Sequence, residues 1–87
     1  MGRYRVQIKA SAAKEIEAVD QKKDRQRIVA RILALGDEPR PVGCEKLSGE
    51  QDRYRIRTGR YRVVYSIGEE ELLVVVVRVG HRKEVYL

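Results

Sequence analysis

Residues 53–65 read Arg-Tyr-Arg-Ile-Arg-Thr-Gly-Arg-Tyr-Arg-Val-Val-Tyr, and no other stretch of the chain restricts its fold so narrowly. Cationic and apolar side chains alternate with period two up to Thr58-Gly59 and resume beyond it, the pattern of two strands in a β-hairpin. With Thr58 and Gly59 as a two-residue loop, and Gly59 supplying the positive φ of a tight turn, the expected cross-strand partners are Arg57 with Arg60, Arg55 with Arg62 and Arg53 with Val64. Parity then sets the faces. Arg53, Arg55, Arg57, Arg60 and Arg62 project from one side, and Tyr54, Ile56, Tyr61, Val63 and Tyr65 from the other.

Like charges opposed across a strand pair are destabilising. Two readings account for them: a solvated basic sheet face, or a concave site for an anion such as phosphate. Arginine suits the second because its planar fork stays charged and matches phosphate oxygens in pairs. No carboxylate lies between positions 53 and 62 to neutralise the cluster in sequence.

At 87 residues the chain is long enough for one core, so residues 1–87 are expected to form a single domain. A net charge of +6 and a pI near 9.8 favour polyanions, either nucleic acid or an acidic protein. The basic excess occurs in both halves, with 10 basic against 6 acidic residues in 1–43 and 9 against 7 in 44–87, which argues against a disordered basic arm. The lone Cys44 excludes an intrachain disulfide and reads as an incidental small residue. No Cys/His spacing suggests a metal site, and no cofactor is called for. A reducing cytoplasm is the simplest compartment. The N-terminus lacks the apolar core of a signal peptide, and the longest apolar run, Leu72 to Val77, is too short to span a bilayer.

Along the chain, Arg3 to Ile8 alternates as a strand near a sheet edge, with Tyr4, Val6 and Ile8 on its apolar face. Ser11 is a candidate N-cap for a helix from Ala12 with Ala12, Ile16 and Val19 in one stripe. Asp24 is a candidate cap for a second helix carrying Ile28, Ile32 and Leu35, flanked by Val29 and Leu33 and ended by Gly36. This helical hairpin needs an apolar partner, which the Tyr/Ile/Val face of the central hairpin supplies. Pro39 to Gly49 is a loop, and Gly68 to Glu71 a second turn. Leu72 to Val77 reads as a central strand covered on both faces. A register placing Arg62 opposite Arg78 puts Arg78 on the cationic face; a slip of one would bury its charge against the helices.

The segments Lys46-Leu47-Ser48-Gly49, Tyr54 to Arg57, Gly59 to Tyr65 and Val79 to Tyr86, preceded by a strand and a helical hairpin, resemble the RelE/ParE superfamily of bacterial toxins, more closely its RelE branch. The resemblance covers nearly the whole chain. It implies an α+β fold of order β-α-α-β-β-β, a small antiparallel sheet packed on the N-terminal helical hairpin. It also implies a toxin that cuts messenger RNA in the ribosomal A site, held in check by an acidic, partly disordered RelB-like antitoxin. Matched position by position, the family's catalytic residues fall on Arg55, Arg57, Arg62, Arg82 and Tyr86.

Cleavage by the RNA's own 2′-OH needs a base, stabilisation of charge at phosphorus and an acid for the departing 5′ oxygen. Arginines meet the second need but cannot act as bases near neutrality. Relatives often carry lysine where this chain has Arg55 and Arg57, so the base falls to Tyr86, to His81, or to a group of the RNA or ribosome. Neighbouring cations favour the charged form of a phenol and the neutral form of an imidazole. Lys46, Arg53, Arg60, Arg78, His81 and Lys83 are expected to contact RNA without chemistry, and Arg82 is open to either role. Two other functions share the pattern: a ParE-like inhibitor of DNA gyrase without catalysis, and a catalytically silent module that binds RNA or antitoxin.

Overall fold

The alternation from Arg3 to Ile8 becomes strand β1 (Arg5–Ile8), whose Val6 and Ile8 turn inward while Arg5 and Gln7 stay exposed. The computed structural model describes residues 2–47, 49 and 52–81. After β1 come helices α1 (Ala10–Glu17) and α2 (Lys22–Ala34), then strands β2 (Glu45–Lys46), β3 (Arg53–Thr58), β4 (Tyr61–Gly68) and β5 (Leu73–His81). Both helices begin earlier than their expected caps. The amide of Lys9 still bonds the Val76 carbonyl at 3.0 Å, so the end of β1 starts α1, and Ser11 falls inside its first turn. In α2 the N-cap is Gln21 and Asp24 lies in the first turn, where a negative charge favours the positive helix end.

The strands form one sheet in the order β1-β5-β4-β3-β2. Three expectations are corrected. Four strands, not three, follow the helices, because Glu45–Lys46 pairs with β3 as a short edge strand inside the expected loop. The sheet is mixed, because β1 runs parallel to β5 while the other pairs are antiparallel. The helical crossover carries the chain over one face and returns it through β2, and β1 lies beside the last strand and runs in the same direction. The central strand is β4, not the valine run. Leu72 sits in the turn at φ 53, 37% exposed, and β5 alternates between buried and half-buried side chains.

Phase along β5 depends on one extra residue. Leu73 to Val76 pair with Gly68 to Tyr65 in one register and Arg78 to His81 with Val64 to Tyr61 in another, leaving Val77 as a bulge. Strict alternation would put Arg78 on the helix side with Val74 and Val76. The bulge instead presents Val77 and Arg78 on the same side and returns Val79 to the core, where it is 1% exposed. Deleting Val77 restores regular alternation without moving Val79 or Arg78 to another face. The deletion variant is therefore expected to fold, losing about 1–2 kcal/mol of packing against Leu47 and Val64 in denaturant titrations. Global unfolding would contradict this reading of the bulge.

The core lies between the helices and one sheet face. Ala12, Ile16 and Val19 from the α1 region and Ile28, Ile32 and Leu35 from α2 meet Tyr54, Ile56, Val63, Tyr65, Ile67, Val74, Val76 and Val79. Each fully buried Ile stabilises the fold by about 1.5–3 kcal/mol relative to exposure. Gly36 ends α2 against β1: its carbonyl accepts the Tyr4 amide at 2.9 Å, and a Cβ there would stand 3.0 Å from the Tyr4 oxygen. No helix among the described residues is long and apolar enough to cross a membrane.

A polar clasp joins β1, the β4–β5 turn and the loop after α2. Tyr4 donates to Glu69 at 2.6 Å, Arg40 pairs with the same carboxylate at 2.6 Å, and Arg40 also donates to the Tyr54 hydroxyl at 3.2 Å. These bonds, Tyr4 first and Arg40 second, hold the Glu69 carboxyl below its ordinary range. A depressed carboxyl contributes stability above its unfolded value of about 4.3 and loses it as pH falls through the folded value. The Tm advantage of the parent over Glu69→Gln should therefore be constant near neutrality and close below about pH 4. An advantage independent of pH would show that the charge of Glu69 contributes nothing.

Candidate functional site

The arginine hairpin forms with its two faces as parity demands but with a different register. Thr58 opposes Tyr61, Arg57 opposes Arg62, Arg55 opposes Val64 and Arg53 opposes Ser66. The loop residues are Gly59 and Arg60, with Gly59 at φ 60, the first-position glycine of a type II′ turn. Shifting the loop by one residue moves every partner by two, and a shift of two preserves faces. Tyr54, Ile56, Val63 and Tyr65 are accordingly core residues, with Tyr61 packed at the core's margin.

On the opposite face β2 contributes Glu45 and β3 contributes Arg53, Arg55 and Arg57, while β4 contributes Arg62 and Val64. Val64 sits with Leu47 and Val77 in a small apolar cluster, with Arg57 and Arg62 on its hairpin side, Arg55 opposite Val64 and Arg53 beyond it. Arg57 and Arg62 are direct cross-strand neighbours with no acidic partner among the described residues. Gly80 stands opposite Arg62 on the next strand, so β5 places no side chain beside it.

Arg55 differs from expectation. It is neutralised in space, its guanidinium bonding the Glu45 carboxylate at 3.1 Å, although no acid lies near it within the hairpin sequence. The Glu45 carboxyl is held below the ordinary carboxylate range, first by the Arg55 bond and charge, with Arg57 and Arg62 adding to the pull. Glu45 thus bonds Arg55 directly and shares its sheet face with Arg57 and Arg62. The Nε atoms of Arg55 and Arg62 are shielded from solvent and have no hydrogen-bond partner among the described residues. Buried donors in folded chains are nearly always satisfied, and a bound anion would satisfy these.

The remaining expected residues divide. Lys46 is exposed on β2, paired in register with Tyr54, which places it on the side away from the arginines. Arg53 is half-buried at the start of β3, on the arginine side. Arg60 lies in the turn, exposed, and is not part of either strand's row. Arg78 opposes Val64 rather than Arg62, still on the arginine side, but its guanidinium turns to Glu15 at 3.8 Å. Glu15 also accepts the Val79 amide at 2.8 Å, capping the edge of β5 beyond the end of β1. His81 opposes Tyr61 and meets its ring edge-on, 5.8 Å between centroids, which places it on the helix side, away from the arginine row where it was expected. Arg82, Lys83 and Tyr86 lie outside the described residues.

Glu45 was missed from sequence because it precedes the hairpin by a loop and its strand is two residues long. Its competition with an incoming anion is testable. Glu45→Gln removes a negative charge from the site while keeping the side chain's size, and is expected to raise affinity for inorganic phosphate several-fold at low salt. Titrations of parent and variant check this, and equal affinities would place Glu45 outside the binding surface.

Such a surface can hold a phosphate by paired guanidinium bonds and stabilise negative charge that grows on it. The described arginines supply no base, which leaves proton transfer to a titratable group nearby.

Known proteins resemble this chain in sequence and in fold. A family described as the ParE toxin of the type II toxin-antitoxin system parDE matches residues 6–86. A RelE-like toxin protein of Escherichia coli is 34% identical over 83 residues, covering 93% of this chain and 85% of that protein. The mRNA interferase toxin RelE of Escherichia coli K12 is 35% identical over 66 residues, covering 71% and 68%. Among solved structures, the archaeal RelE–RelB complex from Pyrococcus horikoshii OT3 superposes with a TM-score of 0.82 at 28% identity, over 95% of this chain and 99% of that one.

Proposed function

Since the chain belongs to the ParE toxin family of type II toxin-antitoxin systems, and to its RelE branch, we propose that it is a ribosome-dependent endoribonuclease that cuts messenger RNA in the A site. The observation that carries this reading is the row of Arg55, Arg57 and Arg62 on one sheet face, Arg57 directly opposite Arg62 and Arg55 bonded to the Glu45 carboxylate, which a scissile phosphate would replace. A related protein bears the name mRNA interferase.

In the proposed step the 2′ oxygen forms a bond to phosphorus as its proton passes to a base, and the bond from phosphorus to the 5′ oxygen breaks as that oxygen gains a proton. The products are a 2′,3′-cyclic phosphate and a 5′-hydroxyl. Arg57 and Arg62 stabilise the pentacoordinate phosphorus, and Arg55 joins them once Glu45 is displaced. In this reading Tyr86 is the base and Arg82 stands beside the phosphate; His81, the other titratable candidate, opposes Tyr61 on the helix side of the sheet and is set aside. No step calls for a metal ion.

The partner proposed for the idle toxin is an acidic, partly disordered antitoxin lying along the sheet or the arginine face, in keeping with a structural neighbour that is a RelE–RelB complex. Co-purification with the product of an adjacent short reading frame checks it.

Adding the chain to a translation extract and mapping message ends tests the nuclease reading. Cuts within the codon at the A site are expected, and intact messages at stoichiometric protein would sink it. The family description also covers parDE toxins, which favours gyrase inhibition as a second reading. Loss of supercoiling activity with messages intact is its signature, whereas a chain that leaves both gyrase and messages untouched is a silent binding module.

A further inference from the structure

A second cationic feature lies where α2 meets the tip of the β3–β4 hairpin. Arg27 and Arg31, one turn apart on α2, share with Ala30, Arg57, Thr58 and Gly59 the wall of a cavity of about 430 Å3. A neighbouring cavity of about 510 Å3 adjoins it at Arg31 and Arg57 and reaches Cys44 and Glu45. β2 covers β3 only at Tyr54 and Arg55, so no strand flanks Arg57 on that side among the described residues.

Arg27, Arg31 and Arg57, and no acidic residue, line the first cavity. None of the three guanidiniums has a hydrogen-bond or ion-pair partner among the described residues. Like charges one helical turn apart repel, so the arrangement is not explained by stability. Thr58, only 8% exposed, lines the same cavity, and its Oγ1 is shielded from solvent with no partner among the described residues. A buried hydroxyl left unbonded is unfavourable, and an anion in the cavity would accept from it and from the guanidiniums together.

We infer that this notch binds a phosphate of the RNA strand whose neighbouring nucleotide lies on the arginine face. The inference rests on the RNA reading above and extends it to the strand's path. Arg57 stands between the two sites: it opposes Arg62 on the sheet and forms a wall of both cavities. An RNA strand leaving the arginine face would cross the open edge of β3 at Arg57 and come down between Arg27 and Arg31. A peptide is the poorer fit, because Ala30 is the single apolar side chain in the lining and offers no pocket for an anchor.

The test is fluorescence anisotropy with a short 2′-O-methyl oligouridine, which cannot cleave itself, across a salt series. The double variant Arg27→Ala/Arg31→Ala is expected to bind about tenfold more weakly at low salt and to lower the slope of log affinity against log salt by about 0.7, the value for one single-strand phosphate no longer neutralised. Thr58→Val keeps the shape and removes the hydroxyl, and should weaken binding about threefold with the slope unchanged, because no charge is lost. Unaltered melting temperatures establish that these variants fold.

Equal affinity and slope in parent and double variant overturn the inference, as does an oligonucleotide that fails to bind the parent. Retained RNA binding with lost affinity for a polyglutamate peptide also overturns it, assigning the notch to a protein partner. An unchanged slope alongside normal message cleavage removes the notch and leaves the nuclease. A lowered slope in a chain that leaves messages whole removes the nuclease and supports the notch.

Discussion

Replacing Arg62 by alanine is expected to slow message cleavage by about 10²–10³-fold, the usual cost of losing one preorganised donor to developing charge. The substitution should leave the chain folded. Arg62 stands directly opposite Arg57, and opposed like charges are destabilising by a few tenths of a kcal/mol up to about 1 kcal/mol, so its removal relieves repulsion rather than breaking a pair. The melting temperature is therefore expected to hold or rise while activity collapses. Single-turnover cleavage on programmed ribosomes, read beside thermal denaturation, separates the two quantities. Arg62→Lys refines the result: it keeps a charge but loses the planar fork, and should recover only part of the rate. Full activity in Arg62→Ala would remove this guanidinium from the chemistry.

Tyr65→Ala should have the opposite signature, a large loss of stability from a residue on the other side of the same strand. Tyr65 is fully buried, its ring stacks on Tyr54 with centroids 5.9 Å apart, and its hydroxyl donates to the Pro39 carbonyl at 2.6 Å. Burial is the first cause holding that phenol above its ordinary range, so it remains a donor well past neutrality. Truncating a buried aromatic ring to alanine costs about 3–5 kcal/mol. A domain of this length has about 4–13 kcal/mol in all, so the variant should lose tens of degrees in Tm or fail to fold. Tyr65→Phe keeps the ring and removes the bond to Pro39, at a cost of about 1–3 kcal/mol for the carbonyl left unsatisfied. Denaturant titrations of both variants give the ordering. A Tyr65→Ala variant within about 1 kcal/mol of the parent would mean that the site collapses around the loss far better than its packing suggests.

The faces of the hairpin were legible from sequence because parity survives a slip of two residues, and the register was not because Gly59 fits either position of a two-residue loop. Ile28, Ile32 and Leu35 announced their stripe by helical spacing, and all three are buried. The run Leu73 to Val77 carries no phase of its own, since every position is apolar, so neither the Val77 bulge nor the strand's place beside β1 could be read from it. The parallel pairing of β1 with β5 is a fact of connectivity, set by a crossover that local patterns do not encode. Within the candidate site, alternation grouped Arg55, Arg57 and Arg62. It could not reveal Glu45, which enters from a two-residue strand across a loop, nor Arg27 and Arg31, which share α2 with the apolar stripe and approach Arg57 only in space. Alternation also says nothing of how long side chains bend: Arg78 keeps to the arginine side by register yet reaches around the sheet edge to Glu15.

The central claim, that these guanidiniums gather around a phosphate attacked by its own 2′ oxygen, is tested most directly by the chemistry of the cut ends. Messages cleaved on purified ribosomes by the parent chain should carry a 2′,3′-cyclic phosphate on the upstream fragment and a 5′-hydroxyl on the downstream one. Fragments with a 3′-hydroxyl and a 5′-phosphate would mean that water, not the ribose, attacks, and would contradict the account.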